Sequence, residues 1–119
     1  MTTRAQKLFE LPVANVYPLY VAKVTRKGRT EAELIQVIEW LTGFDSKALK
    51  SHLKNATTFR EFFKAAKIHP KSKLITGSIC GVKIGEIEDP LMKKIRYLDK
   101  LVDELAKGRP MEKILRLGL

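Results

Sequence analysis

The sequence predicts an all-α fold, a compact bundle of about five to six short helices with one longer helix near residues 90–107. Three observations support this prediction. Apolar residues recur at alternating spacings of three and four, which is the period of one helix face. Residues that typically cap helix starts precede several of these stretches. The turns between the stretches are short, and short turns favour antiparallel neighbouring helices.

The N-terminal part of the chain is predicted to be a poorly patterned segment followed by a helix. Residues 1–14 are expected to form a loose arm or a short helix. A clearer helix is predicted to begin near Asn15 and to stop at Gly28. It contains Pro18, which is tolerated in a first turn because the N–H that proline lacks has no partner there.

Capping residues indicate where each of the next three helices begins. Thr30 opens one of them, with a glutamate three residues on that completes a capping box. Gly43 is expected to end that helix. Asp45 is the cap candidate of a shorter helix, and Thr58 repeats the capping-box spacing before a phenylalanine-rich stretch.

The segment 70–85 is ambiguous, because short apolar runs fit a strand pair as well as a helix. A helix opened by Pro70 and closed by Gly81 is favoured here. Gly77 argues against it, since glycine inside a helix costs about 1 kcal/mol relative to alanine. The strand pair stays open as the alternative.

The longer helix has clear signals at both ends. Asp89 can cap its start, Pro90 fits the first helical position, and Gly108 suits a left-handed residue after its end. One apolar stripe runs along it through Leu91, Ile95, Leu98, Val102 and Leu105. Packing inside the bundle is the simpler use of this stripe, and a dimer seam is the alternative. Pro110 is expected to open a last short helix.

Composition indicates one domain spanning residues 1–119, the length of an ordinary single domain. The net charge of +10 is unusual and permits attraction to nucleic acid or to acidic proteins. The single cysteine fits a reducing compartment, so a cytoplasmic location is expected. No segment approaches the roughly 20 apolar residues that a membrane span needs, so no membrane partner is predicted.

Several strings, in order and at matching spacing, resemble a bacterial family known as domain of unknown function 2200. They are Val16–Val21, Lys27–Thr30, Trp40–Gly43, Leu74–Gly77, Cys80–Val82, Ile87–Met92, Ile95–Leu101 and Met111–Leu115. The resemblance implies a mostly helical fold. It implies no activity and no catalytic residues.

The amphipathic aromatic residues and the cysteine are the candidates for a ligand pocket. Aromatic side chains often line pockets because they combine apolar area with a polar tip, and a thiolate can act as a nucleophile. A place in the core is the favoured alternative for the aromatics, and an inert buried thiol for the cysteine. The candidate pocket residues are Tyr17, Tyr20, Trp40, Cys80 and Tyr97.

Basic residues on the longer helix are the candidates for phosphate or nucleic-acid contacts. Lys93, Arg96 and Lys100 share one side of that helix. Asp99 and Asp103 lie among them at ion-pair spacing, so a salt-bridged surface is the favoured interpretation. The three glycines between residues 77 and 85 do not form a phosphate-loop motif. The two histidines lack metal-ligand spacing. No metal and no cofactor are therefore predicted.

These observations favour a small non-catalytic binding protein that acts on itself, as a homodimer, or on a partner protein. A nucleic-acid-associated basic protein is the first alternative, since its phosphate contacts would be electrostatic. A small ligand-binding protein or enzyme with a pocket near Cys80 is the second alternative.

Overall fold

The structure, a computed structural model, describes residues 4–79 and 81–117, with side chains from residue 6 onward. It confirms the all-α prediction. The helices in the described part are α1 (Arg4–Phe9), α2 (Val13–Arg26), α3 (Glu31–Thr42), α4 (Ser46–Lys54), α5 (Phe59–Ala65), α6 (Pro90–Ala106) and α7 (Met111–Ile114). Between α5 and α6 lie two 3₁₀ helices, Pro70–Leu74 and Ile84–Glu86, and a hairpin of β1 (Ser78–Ile79) and β2 (Val82–Lys83).

Helix α6 is the central element, because α1, α2, α3, α5, α7 and β1 all contact it. The predicted apolar stripe is buried at Ile95, Leu98, Val102 and Leu105, each at most 1% exposed. Burying an aliphatic side chain of this size contributes roughly 1.5–3 kcal/mol. Since neighbouring helices cover the stripe, it is not available as a dimer seam. Gly108 takes the predicted left-handed conformation after the helix, with φ 86°.

Side-chain hydrogen bonds begin four helices where the sequence predicts them. The Glu33 N–H donates to Thr30 Oγ1 at 3.1 Å, and the Thr30 N–H donates to the Glu33 carboxylate at 3.0 Å. This is a complete capping box at the start of α3. Asp45, Thr58 and Asp89 each accept the backbone N–H of the residue three positions on. Such caps contribute about 1 kcal/mol each.

Helix α2 begins at Val13, two residues before the predicted start. The Val13 N–H donates to the Thr57 carbonyl at 2.8 Å, which ties this helix start to the segment before α5. Pro18 is therefore the sixth residue of the helix, and the prediction that it lies in the first turn is wrong. The proline removes the hydrogen bond that an N–H at this position would donate to the Ala14 carbonyl.

The helix predicted from Pro70 to Gly81 is also wrong. The 3₁₀ helix ends at Leu74, and the open alternative of a strand pair is realised by the two-residue strands of the hairpin. Gly77 and Gly81 take left-handed conformations, with φ 95° and 76°, which a right-handed helix cannot contain. The Ile84 N–H donates to the Gly77 carbonyl at 2.9 Å and extends the hairpin.

Candidate functional site

The tyrosines on α2 form hydrogen bonds to acidic residues on two different helices. The Tyr17 hydroxyl donates to Glu31 Oε2 at 2.5 Å, and the Tyr20 hydroxyl donates to Asp99 Oδ1 at 2.6 Å. Partial burial and the hydrogen bond to Glu31 raise the pKa of Tyr17 above its ordinary value. Tyr20 itself is buried, so its contact with Asp99 fastens α2 to α6.

The other candidate pocket residues lie in different surroundings. Trp40 stacks on His69, with ring centroids 4.3 Å apart and an interplanar angle of 17°. Tyr97 is buried, and burial raises its pKa. Cys80 lies outside the described residues. Two clefts of the described structure are lined by other side chains, so a shared pocket of the aromatics and Cys80 stays a prediction.

The three basic residues proposed for phosphate contact differ in what they already bind. The Arg96 guanidinium pairs with Asp99 at 2.7 Å. Lys100 Nζ donates to the Ser78 carbonyl of the hairpin at 3.2 Å and makes no ion pair in the described structure. Lys93 is half-buried on the same helix. Of the three, Lys100 faces a cleft.

Asp103 is the electrostatic link between α2 and α6. Lys107 and Lys23 reach its two carboxylate oxygens at 3.0 and 3.3 Å. Partial burial acts to raise the pKa of this carboxyl, but hydrogen bonds from Lys107 and Lys23 outweigh burial and hold it below the usual range. The ion-paired surface predicted for α6 is thus present, and it reaches across to α2.

A cleft of about 630 Å³ opens between the C-terminal halves of α2 and α6, and we call it the α2/α6 groove. Its lining combines the apolar side chains of Leu19, Ala22 and Ala106 with the basic side chains of Lys23, Arg26, Lys27 and Lys107. Asp103 is the acidic residue of this lining. The groove therefore joins apolar area to an excess of positive charge.

A second cleft, of about 340 Å³, lies beside the first and is called the α6/α7 pocket. Its basic lining residues are Lys100, Lys107, Arg109, Lys113 and Arg116, against the two acids Asp103 and Glu104. Thr76 and Leu74 complete the lining. The two clefts share Asp103 and Lys107, so they lie on either side of the same stretch of α6.

The α6/α7 pocket contains a buried ion pair. Arg116 and Glu104 side chains are 6% and 5% exposed, and two guanidinium nitrogens contact the two carboxylate oxygens at 2.6 and 3.1 Å. Arg109 also contacts Glu104, at 3.1 Å. Arg116 has a left-handed backbone, with φ 52°, and its guanidinium also donates to the Ile114 carbonyl at 2.6 Å.

Comparison with known proteins gives a family. The family described as "Uncharacterized protein conserved in bacteria (DUF2200)" matches residues 7–116. The chain belongs to this family. This chain is similar to the one in the crystal structure of "uncharacterized protein SP1917", with 46% sequence identity and a TM-score of 0.87. The match covers 93% of this chain and 92% of that chain. No curated protein matches. The resemblance inferred from the sequence is confirmed.

Among the described residues of this DUF2200 chain that the sequence predicts for a site, Lys100 lines one of the two clefts. Helical periodicity places Leu19 in α2 but does not indicate that its side chain is exposed, and no motif marks Arg109, Lys113 and Arg116. A signal was present in the basic spacing from Lys107 to Arg116, which carries four cations in ten residues. Their convergence depends on the turn at Gly108, which folds α7 back beside α6.

No described helix of this DUF2200 protein combines the length and the apolarity needed to cross a membrane. Among the described residues, no three His, Cys, Asp or Glu side chains gather as metal ligands would.

Proposed function

We propose that this DUF2200 protein is a non-catalytic, cytoplasmic binding protein that docks an acidic amphipathic segment of a partner protein in the α2/α6 groove. The observation that carries the proposal is the exposure of Leu19 among cations. This side chain is 67% exposed, the most exposed large apolar side chain among the described residues. An acidic helix with one apolar face would cover Leu19 and meet the basic rim at the same time.

The charges of the groove favour an acidic partner over a second copy of the chain. Arg26 and Lys27 form no ion pair with any described carboxylate, so their charges are available to a partner. Lys23 and Lys107 share the single carboxylate of Asp103. A second copy would bring its own net charge of +10 to this surface, and like charges oppose association.

A fluorescent acidic peptide tests the proposal directly. The probe is a 14-residue helical peptide with leucines on one face and glutamates on the other, and binding is followed by fluorescence anisotropy. We expect Leu19→Ala to weaken binding about fivefold, since it removes roughly 1 kcal/mol of apolar burial. Arg26→Gln with Lys27→Gln should weaken it further and reduce its salt dependence.

Matched controls separate the groove from general charge. Lys47→Gln with Lys50→Gln removes two exposed charges from α4 and should leave peptide binding within about twofold. A scrambled peptide of equal composition should bind weakly, because its leucines no longer share a face. Peptide binding that is insensitive to Leu19→Ala, or equally reduced by the α4 variants, would refute docking in the groove.

Nucleic acid is the second candidate, and the basic rim of the groove beside the cations of the α6/α7 pocket favours it. Phosphate contacts would make retention on a 20-base-pair DNA duplex fall steeply between about 50 and 200 mM salt. Leu19 has no part in such contacts. Tight DNA binding that is unchanged by Leu19→Ala, together with absent peptide binding, would replace the first proposal by this one.

A further inference from the structure

The α6/α7 pocket carries more positive charge than its own acids balance. Five cations and two carboxylates line a cleft of about 340 Å³. This volume lies at the lower end of the range of small-ligand sites, roughly 300–1,000 Å³. Arginine and lysine together are the residues that bind phosphate oxygens, the first as a fork of donors and the second as a point charge.

Internal ion pairs already use both acids. Glu104 is held by Arg116 and Arg109, and Asp103 is held by Lys107 and by Lys23 from outside the pocket. The pairing leaves Lys100 and Lys113 without a carboxylate partner among the described residues.

The wall of the pocket is fixed in place before any ligand arrives. The Arg116 guanidinium is buried and is held by both oxygens of Glu104 and by the Ile114 carbonyl. The carbonyl of Arg116 accepts a hydrogen bond from Lys71 Nζ at 3.2 Å. On the other side, the Arg109 carbonyl accepts from Arg29 at 2.9 Å, which holds the turn between α6 and α7. Preorganised donors lose little conformational entropy on binding.

We infer that the α6/α7 pocket binds a small phosphorylated molecule, with Lys100 and Lys113 as its principal contacts and Arg109 and Arg116 as the positive wall. The pocket has a formal excess of three positive charges, which suits a diphosphate or a molecule with two phosphate groups. The hydroxyl of Thr76 is a further donor in the lining. The mostly polar lining, with Leu74 as its apolar member, suits a compact polar ligand.

Calorimetric titration with inorganic pyrophosphate tests this inference on the full chain. We expect binding at low salt, weakened about five- to tenfold by Lys113→Gln and by a similar factor by Lys100→Gln. Lys113 is exposed and Lys100 contacts a backbone carbonyl at the surface, so neither substitution disturbs the core. Unfolding curves recorded on each variant verify this.

Three comparisons decide the outcome. Lys47→Gln, on α4, should leave pyrophosphate affinity unchanged, as should Arg26→Gln with Lys27→Gln in the neighbouring groove, so this inference can fail or hold separately from the proposed function. Absence of pyrophosphate binding at millimolar concentration overturns it, as does an equal loss in the α4 variant. Pyrophosphate bound only weakly, but displaced fully by a DNA duplex, would show that the phosphate belongs to nucleic acid and would also overturn it.

Discussion

Replacing Glu104 by methionine should destabilise the protein more than the loss of any surface charge. The Glu104 carboxylate is buried and is held by the guanidinium of Arg116, which is buried as well. The substitution keeps an unbranched side chain of similar size but leaves Arg116 without its counter-charge. Breaking a buried pair by removing one partner costs about 3–5 kcal/mol, because the remaining charge is uncompensated.

The size of this loss can be compared with the stability of the whole domain. A chain of this length is expected to have a free energy of unfolding of about 6–18 kcal/mol. The unfolding entropy of such a domain is about 0.25 kcal/mol per kelvin. A loss of about 3–5 kcal/mol therefore lowers the melting temperature by roughly 12–20 °C. Urea unfolding at 25 °C and thermal melting followed by circular dichroism measure both quantities.

A second substitution separates the buried charge from the loss of packing. Arg116→Met added to Glu104→Met removes both charges, and stability should return to within about 2 kcal/mol of the original protein. The double variant still lacks the hydrogen bond from Arg116 to the Ile114 carbonyl, and Arg109 lacks its contact with Glu104. Glu112→Met, an exposed carboxylate on α7, is the control and should change stability by less than about 0.5 kcal/mol.

The single and double variants can also refute the reasoning. A loss below about 1 kcal/mol for Glu104→Met would mean that Arg116 finds solvent or another acceptor when its carboxylate is absent. A double variant less stable than Glu104→Met would mean that the pair acts through packing and backbone contacts, and not through charge.

Three other predictions concern pH and backbone geometry. The hydrogen bond from Arg29, and then that from a backbone N–H, lower the pKa of Glu33 to about 2 from 4.5. Its stabilisation is therefore present above about pH 4.5 and is lost as pH falls toward 2. Solvent screening reduces this stabilisation to about 1–2 kcal/mol. It is seen as a fall in the free energy of unfolding, measured with urea, as pH drops, and Glu33→Gln should make that fall smaller. Gly43 and Gly28 both have positive φ, so replacing either by alanine strains the backbone. Gly43→Ala should lower the free energy of unfolding by about 2–3 kcal/mol and Gly28→Ala by about 1 kcal/mol. The difference arises because, of the two, an added Cβ meets a backbone oxygen at 3.0 Å at Gly43 alone. Pro18→Ala should stabilise by about 1–2 kcal/mol in thermal melts, because it restores a helical N–H donor.

Each of these predictions has a result that contradicts it. An unchanged fall with pH in Glu33→Gln would place the pH dependence in other carboxylates, such as Asp103, whose pKa is also lowered. Equal losses at Gly43 and Gly28 would show that φ alone, and not the close oxygen, sets the penalty. A destabilising Pro18→Ala would mean that the rigidity which proline gives the unfolded chain outweighs the missing hydrogen bond.

Helix starts were predictable because a capping hydrogen bond joins residues that are close in sequence. Thr30, Asp45 and Asp89 each bind a backbone N–H three residues away, so the sequence around each position contains everything that the contact needs. The start of α2 was mispredicted for the opposite reason. It is set by hydrogen bonds to a segment more than forty residues away, from Val13 to Thr57 and from Phe59 to Leu11.

The segment between α5 and α6 shows the same contrast. Its apolar residues fit a helical spacing, but the buried Ile75 and Ile84 flank a hairpin and not a helix. The turn depends on left-handed glycines, Gly77 and Gly81, and glycine alone does not reveal which sign of φ it takes. Periodicity therefore could not separate these alternatives.

The charge of the two clefts depends on which residues form ion pairs with the acids of α6. The spacing of Asp99 and Asp103 predicts ion pairs along α6 itself, and these acids were expected to weaken an anion's approach to the neighbouring lysines and arginines. In the structure each is bound, and partners from outside α6 hold Asp103 and Glu104, among them Lys23 and Arg116. Since a paired carboxylate repels an incoming anion far less than a free one, the same ion pairs that join the helices would favour the acidic ligands proposed for this end of α6. Substituting a binding lysine without a carboxylate partner, such as Lys113, should therefore affect ligand affinity and not stability, whereas substituting Arg116 should affect both.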